Sequence, residues 1–146
     1  MLGGSRGGST GKSEGRSGRQ THAERVLAHL RRQEKPQTAY QILEDLRSDG
    51  VTAPTTVYRA LDHLVAAGDV CRIESLNAWT ARLTPSQGKT PVFEICEHCG
   101  SVTEHVDTRL ARDIAALSRH TGFQPERSIL EIRGRCGSCR SLEPAP

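Results

Sequence analysis

Two C-x-x-C pairs, Cys96 with Cys99 and Cys136 with Cys139, constrain the fold of this 146-residue chain more than any other feature. Each spacing lets two thiolates bind the same metal ion, and two such pairs complete a tetrahedral site. Thiolate ligands in this geometry favour zinc over magnesium or calcium. We therefore predict one structural zinc ion per protomer, bound by all four cysteines.

Both cysteine pairs lie at the ends of predicted strands. The first pair follows an extended segment at 92–95, and the second follows the alternating segment SILEIRGR. Pairing of these two strands would bring the cysteines together. Two alternatives stay open: a redox pair, which normally sits at a helix N-terminus, and four unrelated buried thiols. His98, inside the first pair, is predicted to be incidental because four cysteines already complete the site.

A zinc ion with four cysteine ligands has no open coordination position, so it stabilises a fold and does not catalyse a reaction. The sequence shows no catalytic motif elsewhere. We therefore predict that the chain is not an enzyme and has no small-molecule substrate.

Composition limits where the protein works. Aromatic residues make up 3% of the chain, so small domains with thin cores would need a metal ion or a partner chain. The sequence has no apolar run near the ~20 residues of a membrane span, and its N-terminus lacks the apolar segment of a secretory signal. We expect a cytoplasmic protein with reduced thiols and no membrane partner.

Residues 1–20 are rich in glycine and serine, with four basic residues and one acidic residue. This composition predicts a disordered basic arm, which is either simply solvated or adds non-specific contacts to phosphates. Its GGSTGKS segment is not a phosphate-binding loop, because Arg6 stands where the first glycine is needed and no strand precedes it.

Residues 21–83 have the pattern of a winged helix-turn-helix domain. Three amphipathic helices are expected: one from about residue 21, one from the N-cap Thr38 to a stop at Asp49 and Gly50, and one from Pro54 to Gly68. Two short strands follow, at 70–73 and at about 79–83. The fold class is therefore predicted to be α+β, with this DNA-binding domain first.

The remaining residues form a linker and a second domain. Residues 84–91 carry two prolines and a glycine and are predicted to be a hinge linker. Residues 92–146 are expected to form a small α/β domain that contains the four-cysteine zinc site. Its helix should begin at Asp107 or Thr108 and end at Gly122.

The third predicted helix, PTTVYRALDHLVAAG, has the features of a DNA-recognition helix. When its apolar residues face inward, Thr55, Thr56, Tyr58 and Arg59 lie toward the other side. The N-terminal part of such a helix meets base edges in the major groove. Arginine can pair bidentately with guanine, and threonine can bind phosphates. The alternative is an amphipathic helix whose polar face is only solvated.

Four segments, TAYQILEDL, PTTVYRALDHLVAAGDVCRIES, FEICEHCGSVTE and GRCGSC, resemble the ferric uptake regulator family and most closely its zinc uptake regulator branch. The resemblance covers about residues 22–140. It implies a homodimeric winged-helix repressor that dimerises through its C-terminal domain, binds operator DNA and represses metal-uptake genes when loaded with metal. Tyr40, Tyr58 and Arg59 match the family's DNA-contacting positions, and the four cysteines match its structural zinc site.

The resemblance also implies a second, regulatory zinc ion at the hinge between the two domains. Cys71 and Glu104 are competent ligands at two of its positions. Arg82 and Arg127 stand at two others, and arginine cannot act as a ligand. The segment SQGKTPVF also lacks the histidines expected there.

His105 and His120 are the nearest replacement ligands, although each is more commonly an ordinary surface histidine. A residual hinge site therefore either still senses zinc or has been lost, so that DNA binding no longer needs a second metal ion. Two further hypotheses are a thiol redox sensor that includes Cys71 and a protein-interaction module without affinity for DNA.

Overall fold

The computed structural model describes residues 3, 18–83 and 90–142. The predicted basic arm therefore lies outside the described residues except at positions 3 and 18–20, and the predicted linker does so except at positions 90 and 91. Residues 18–83 form three helices and a two-stranded ribbon: α1 (His22–Arg31), α2 (Ala39–Leu46), α3 (Pro54–Ala67), β1 (Val70–Ile73) and β2 (Ala78–Ala81). Residues 90–142 form a three-stranded sheet with two helices: β3 (Pro91–Cys96), β4 (Val102–Val106), α4 (Thr108–Thr121), β5 (Leu130–Gly134) and α5 (Gly137–Arg140). The predicted α+β fold class is confirmed.

Local signals set the helix boundaries of the winged-helix domain. The side chains of Thr21 and Thr38 each accept a hydrogen bond from the backbone N–H of the residue three positions later, Glu24 or Gln41. In return, the side chain of Glu24 or Gln41 accepts a hydrogen bond from the N–H of the threonine, so α1 and α2 each begin with a capping box. α2 ends at Leu46, earlier than predicted, because the chain tightens into a 3₁₀ turn before Gly50. Gly50 and Gly68 have φ of 89° and 82°, a left-handed conformation that glycine adopts without strain.

The core of the winged-helix domain lies between its three helices and its ribbon. The residues that are fully buried or nearly so come from all of these elements: Val26, Leu30, Ala39, Ile42, Leu43, Leu46, Val51, Val57, Ala60, Leu61, Leu64, Val70 and Trp79. Trp79 on β2 also exchanges two backbone hydrogen bonds with Gln37, of 2.8 and 2.9 Å. The ribbon is thereby fixed to the start of α2.

The sheet of the second domain has the strand order β4-β3-β5, with β3 antiparallel to β4 and parallel to β5. Cys96 at the end of β3 pairs with Gly134 at the end of β5. The two cysteine pairs are therefore brought to the same edge of the sheet. Pro91 belongs to β3 and not to the linker, because it pairs with Val106 on β4.

The second domain has a thin core. α4 is amphipathic, yet none of its residues is buried, and Leu117 is 64% exposed. Phe123 and Ile132 are 69% and 50% exposed. This domain therefore leaves apolar surface uncovered in the single chain. Within the described residues, no helix is long and apolar enough to cross a bilayer.

Candidate metal centre and nucleic-acid interface

The four predicted cysteines form one cluster. The sulfur atoms of Cys96, Cys99, Cys136 and Cys139 all lie within 4.8 Å of one another, and the Cys99 and Cys136 sulfurs are 3.8 Å apart. A regular tetrahedron with zinc–sulfur bonds of about 2.3 Å has sulfur–sulfur edges of about 3.8 Å. The cluster therefore fits a tetrahedral zinc ion.

Local backbone structure brings these sulfurs together. Gly100, with φ of 75°, completes a tight loop in which the Gly100 N–H donates to the Cys96 carbonyl at 2.9 Å. The Cys136 N–H donates to the Cys96 sulfur at 3.3 Å. Cys136 is the N-cap of α5, and Cys139 lies inside that helix. The sequence did not predict this short helix, which turns the second pair toward the first.

The pKa values of the cluster favour a bound cation over four free thiolates. The backbone N–H groups of Cys136 and Cys99 lower the pKa of Cys96 to about 5. Contact with the Cys136 sulfur is the largest cause that raises the pKa of Cys139 to about 12, and burial of the thiol is the next largest. The fourth thiolate is therefore unfavourable beside the others until a metal ion supplies positive charge. Zinc bound here would hold β3, β5 and α5 together.

His98 is exposed on the loop between Cys96 and Cys99. It is not part of the group of metal-ligating side chains, which contains the four cysteines alone. This placement agrees with the prediction that His98 is incidental to the site.

The predicted recognition helix, α3, exposes the residues assigned to DNA. Val57, Ala60, Leu61 and Leu64 are buried, which turns the opposite face of the helix outward. Thr55, Tyr58 and Arg59 are exposed, and Thr56 is half-buried. Tyr40 on α2 is 76% exposed, a high value for a large aromatic side chain.

Sequence reasoning missed the residues that support Tyr58. The rings of Tyr58 and the buried Trp79 make a T-shaped contact, with centroids 6.1 Å apart and planes at 75°. The Arg72 guanidinium lies 5.3 Å from the centroid of Trp79, a cation–π distance. The ribbon thereby fixes a residue of the recognition helix. The signal available in the sequence was the chain's single tryptophan, placed in a predicted strand.

The hinge between the domains contains an ion pair of low exposure. Arg82 Nε donates to Glu104 Oε1 at 2.7 Å, and the two side chains are 8% and 6% exposed. The Leu83 N–H donates to the other carboxylate oxygen at 3.0 Å. Both oxygens of Glu104 therefore have partners from the winged-helix domain. Arg82 Nη2 is buried and has no hydrogen-bond partner among the described residues.

Cys71 lies close to this ion pair and is buried. Its thiol donates to the Arg72 carbonyl at 3.7 Å. Burial raises the pKa of Cys71 to about 11, with Arg82 acting in the opposite direction. The thiol is therefore protonated at neutral pH, whereas metal binding and thiol oxidation both need the thiolate. This environment does not favour a redox sensor at Cys71.

The structure does not gather the four residues predicted for a residual regulatory site. His105 Nε2 lies 2.9 Å from Glu94 Oε1 on the exposed side of the sheet, and successive residues of a strand point to opposite faces. His120 is exposed near the end of α4. Among the described residues, the four-cysteine cluster is the group of metal-ligating side chains within reach of a single ion. Cys71, Glu104, His105 and His120 do not form another.

Known proteins resemble this chain over most of its length. The sequence profile of the Ferric uptake regulator family matches residues 18–133. The zinc uptake regulation protein of Escherichia coli (strain K12) is 32% identical over 120 residues, which cover 81% of this chain and 70% of that protein.

Two solved structures have the same fold. Holo XcZur is 36% identical, with a TM-score of 0.77 over 84% of this chain and 86% of that one. A zinc uptake regulator in complex with zinc and DNA is 30% identical, with a TM-score of 0.78 over 84% of this chain and 83% of that one. With a family profile that matches well over half of its length, this chain belongs to the ferric uptake regulator family.

Proposed function

We propose that this chain is a metal-responsive transcriptional repressor that binds operator DNA as a homodimer and controls zinc-homeostasis genes. Its place of action is the cytoplasm, where DNA is accessible and thiols are reduced. Membership of a family of regulators agrees with the prediction that the chain is not an enzyme.

The observation that carries this proposal is the outer face of α3 on a winged-helix domain. Tyr58 and Arg59 are exposed there although the opposite face of the helix is fully packed. In helix-turn-helix proteins this face enters the major groove, where arginine pairs with guanine. A relative with the same fold has been solved with both zinc and DNA bound, which supports the assignment.

The response to metal is assigned to the four-cysteine centre. The thin core of the second domain cannot easily fold without it, because α4 has no buried residue. Loss of zinc would therefore disorder the domain that joins two protomers and weaken binding to a two-fold symmetric operator.

The exposed apolar side chains of the second domain support a homodimer. Leu117 and Phe123 are 64% and 69% exposed, and Ile132 on β5 is 50% exposed. Such side chains are commonly covered by a partner chain.

The test is selection of duplexes from a random library by the zinc-loaded protein, followed by affinity measurements against salt. We expect a preferred sequence with two half-sites and an affinity that falls steeply as salt rises. The selected sequence should then occur upstream of zinc-transport genes in the source genome. A protein that selects no sequence and shows no salt-dependent affinity for DNA refutes the proposal and favours a protein-interaction module.

A second candidate is a DNA-binding member of the family that has lost its sensing site and whose DNA binding does not respond to metal ions. The specific observation in its favour is the Arg82–Glu104 ion pair, which occupies Glu104 with non-metal partners.

A further inference from the structure

The hinge is where the family resemblance places a regulatory metal ion, and the residues present do not fit one. A zinc ion bound to Glu104 would have to displace Arg82 and leave a guanidinium of 8% exposure without its partner. Breaking such a buried pair is strongly unfavourable, because the remaining charge is desolvated and unpaired.

Too few donors are available to compensate for that loss. Cys71 and Glu104 are two candidate ligands, and the described residues offer no third close enough to form a group with them. The undescribed segment 84–89 reads TPSQGK and contains no histidine, cysteine, aspartate or glutamate. The adjacent positive charges of Arg82 and Arg127 also oppose entry of a divalent cation.

The chain instead joins its two domains with its own groups, at three places. Glu104 on β4 binds Arg82 and the Leu83 N–H beyond β2. Glu131 on β5 accepts hydrogen bonds from the N–H groups of Glu74 and Ser75, at 2.6 and 3.2 Å, just after β1.

Apolar packing forms the third link. Cys71 and Ile73 of β1 are buried against Phe93 and Ile95 of β3 in one cluster that spans both domains. The backbone also fixes Arg82 itself, because its N–H donates to the Asp69 carbonyl at 2.8 Å and extends the ribbon. The orientation of the winged helix is therefore determined without a metal ion at this position.

We infer that Arg82 and Glu104 are positioning residues for DNA binding, which fix the winged-helix domain against the second domain in place of a hinge metal ion. This inference rests on the proposed function for its DNA-binding readout. Zinc is then required at the four-cysteine centre, and DNA affinity does not change when further zinc is supplied. A second zinc ion at the hinge is the competing alternative.

The experiment compares four full-length variants with the wild type. Glu104→Gln removes the charge and keeps the size of the side chain, whereas the exchange Arg82→Glu with Glu104→Arg restores an ion pair of reversed polarity. Arg82→His replaces the guanidinium with a potential zinc ligand. Glu94→Gln is the matched control, because Glu94 is 60% exposed and pairs with His105 outside the hinge.

Three quantities are measured: zinc per protomer by elemental analysis, affinity for the selected duplex with and without added zinc, and domain arrangement by small-angle X-ray scattering. For the wild type we expect one zinc ion per protomer. Its affinity for the duplex and its scattering curve should not change when more zinc is added. Glu104→Gln should lose about 5- to 150-fold in affinity, the usual range for coupling between two sites. Glu94→Gln should match the wild type, and the charge exchange should recover part of the loss.

The Arg82→His variant distinguishes a positioning role of Arg82 from a purely structural role of that residue. We expect this variant to take up a second zinc ion and its DNA affinity to rise when zinc is added. If Glu104→Gln does not fold, which circular dichroism reports, Arg82→His and the charge exchange still decide the question.

Two results would overturn the inference: tight uptake of a second zinc ion by the wild type with a gain in DNA affinity, or a Glu104→Gln variant that binds like Glu94→Gln. Failure of the proposed function has a different signature, which is absence of selective DNA binding in every variant. In that case the zinc count and the scattering curves alone decide whether the hinge holds a metal ion.

Discussion

Replacement of one zinc ligand should destabilise the second domain and leave the winged-helix domain folded. In Cys99→Ser, one of four sulfurs that lie within 4.8 Å of one another is exchanged for a hydroxyl. At neutral pH a serine hydroxyl is protonated and is a poor zinc ligand, so the ion retains three thiolates. We expect residues 90–142 to lose stability while the winged-helix domain stays folded.

The size of the effect follows from the donor set and from the thin core. Structural zinc contributes about 10–16 kcal/mol in small four-ligand sites. An equal share per ligand is about 2.5–4 kcal/mol, which corresponds to roughly 70- to 1000-fold in zinc affinity. The apolar side chains buried in this domain are few, with Val92, Phe93 and Ile95 in the sheet and none on α4. A loss of this size is comparable with the stability of a whole small domain.

Zinc affinity is measured by competition with a chelating dye, and unfolding is followed by two probes. Trp79 is the only tryptophan of the chain and lies in the winged-helix core, so its fluorescence reports that domain alone. Far-ultraviolet circular dichroism reports both domains and should gain an earlier transition in the variant. The control is His98→Ala in the same loop, which should leave zinc affinity unchanged. Zinc affinity of Cys99→Ser indistinguishable from that of the wild type would contradict the assignment of Cys99 as a ligand, and so would an equal loss of affinity in His98→Ala.

Three further predictions concern DNA contacts and the buried thiol. Arg59→Ala should lose about 1–3 kcal/mol of affinity for the selected duplex and relax the preference at one base pair, measured by fluorescence anisotropy on single-base variants; affinity equal to that of the wild type would remove Arg59 from the interface. Trp79→Ala should cost about 3–5 kcal/mol of unfolding free energy and weaken DNA binding through Tyr58; an unchanged denaturant midpoint would contradict the packing described. Burial raises the pKa of Cys71 from 9.0 to about 11. The contribution of the protonated thiol to the free energy of unfolding is therefore fully present below pH 9 and is lost as the pH rises toward 11. Accordingly, iodoacetamide should not alkylate Cys71 of the zinc-loaded protein at a pH of about 8, well below that raised pKa, and rapid labelling detected by mass spectrometry would refute its burial.

The sequence predicted best those elements whose signals are local. The N-cap Thr38, the first-turn Pro54 and the terminal Gly68 each act within a few residues of the chain, and the structure places helix boundaries at all three. The adjacency of the cysteine pairs was also predictable, since a common metal ion demands it. The early end of α2 was missed because residues 47–49, RSD, are all polar and provide no apolar spacing that distinguishes a 3₁₀ turn from a further α-helical turn.

Interactions across the fold were not predictable from spacing. Trp79 and Tyr58 are far apart in sequence, and their edge contact depends on how the ribbon packs against α3. His105 shows the same dependence on the fold. It follows Glu104 directly in sequence, but the strand turns it to the exposed side, where it meets Glu94.

The hinge shows why ligand positions have to be considered as a set. A comparison position by position finds that Cys71 and Glu104 are competent ligands and that Arg82 is not. In the fold, Arg82 also engages Glu104, whose second oxygen accepts from the Leu83 N–H. A single arginine in a ligand position therefore removes two ligands: the one it replaces and the carboxylate it neutralises. The remaining Cys71 is then a buried protonated thiol, and the contact between the two domains at this position is made by the Arg82–Glu104 ion pair.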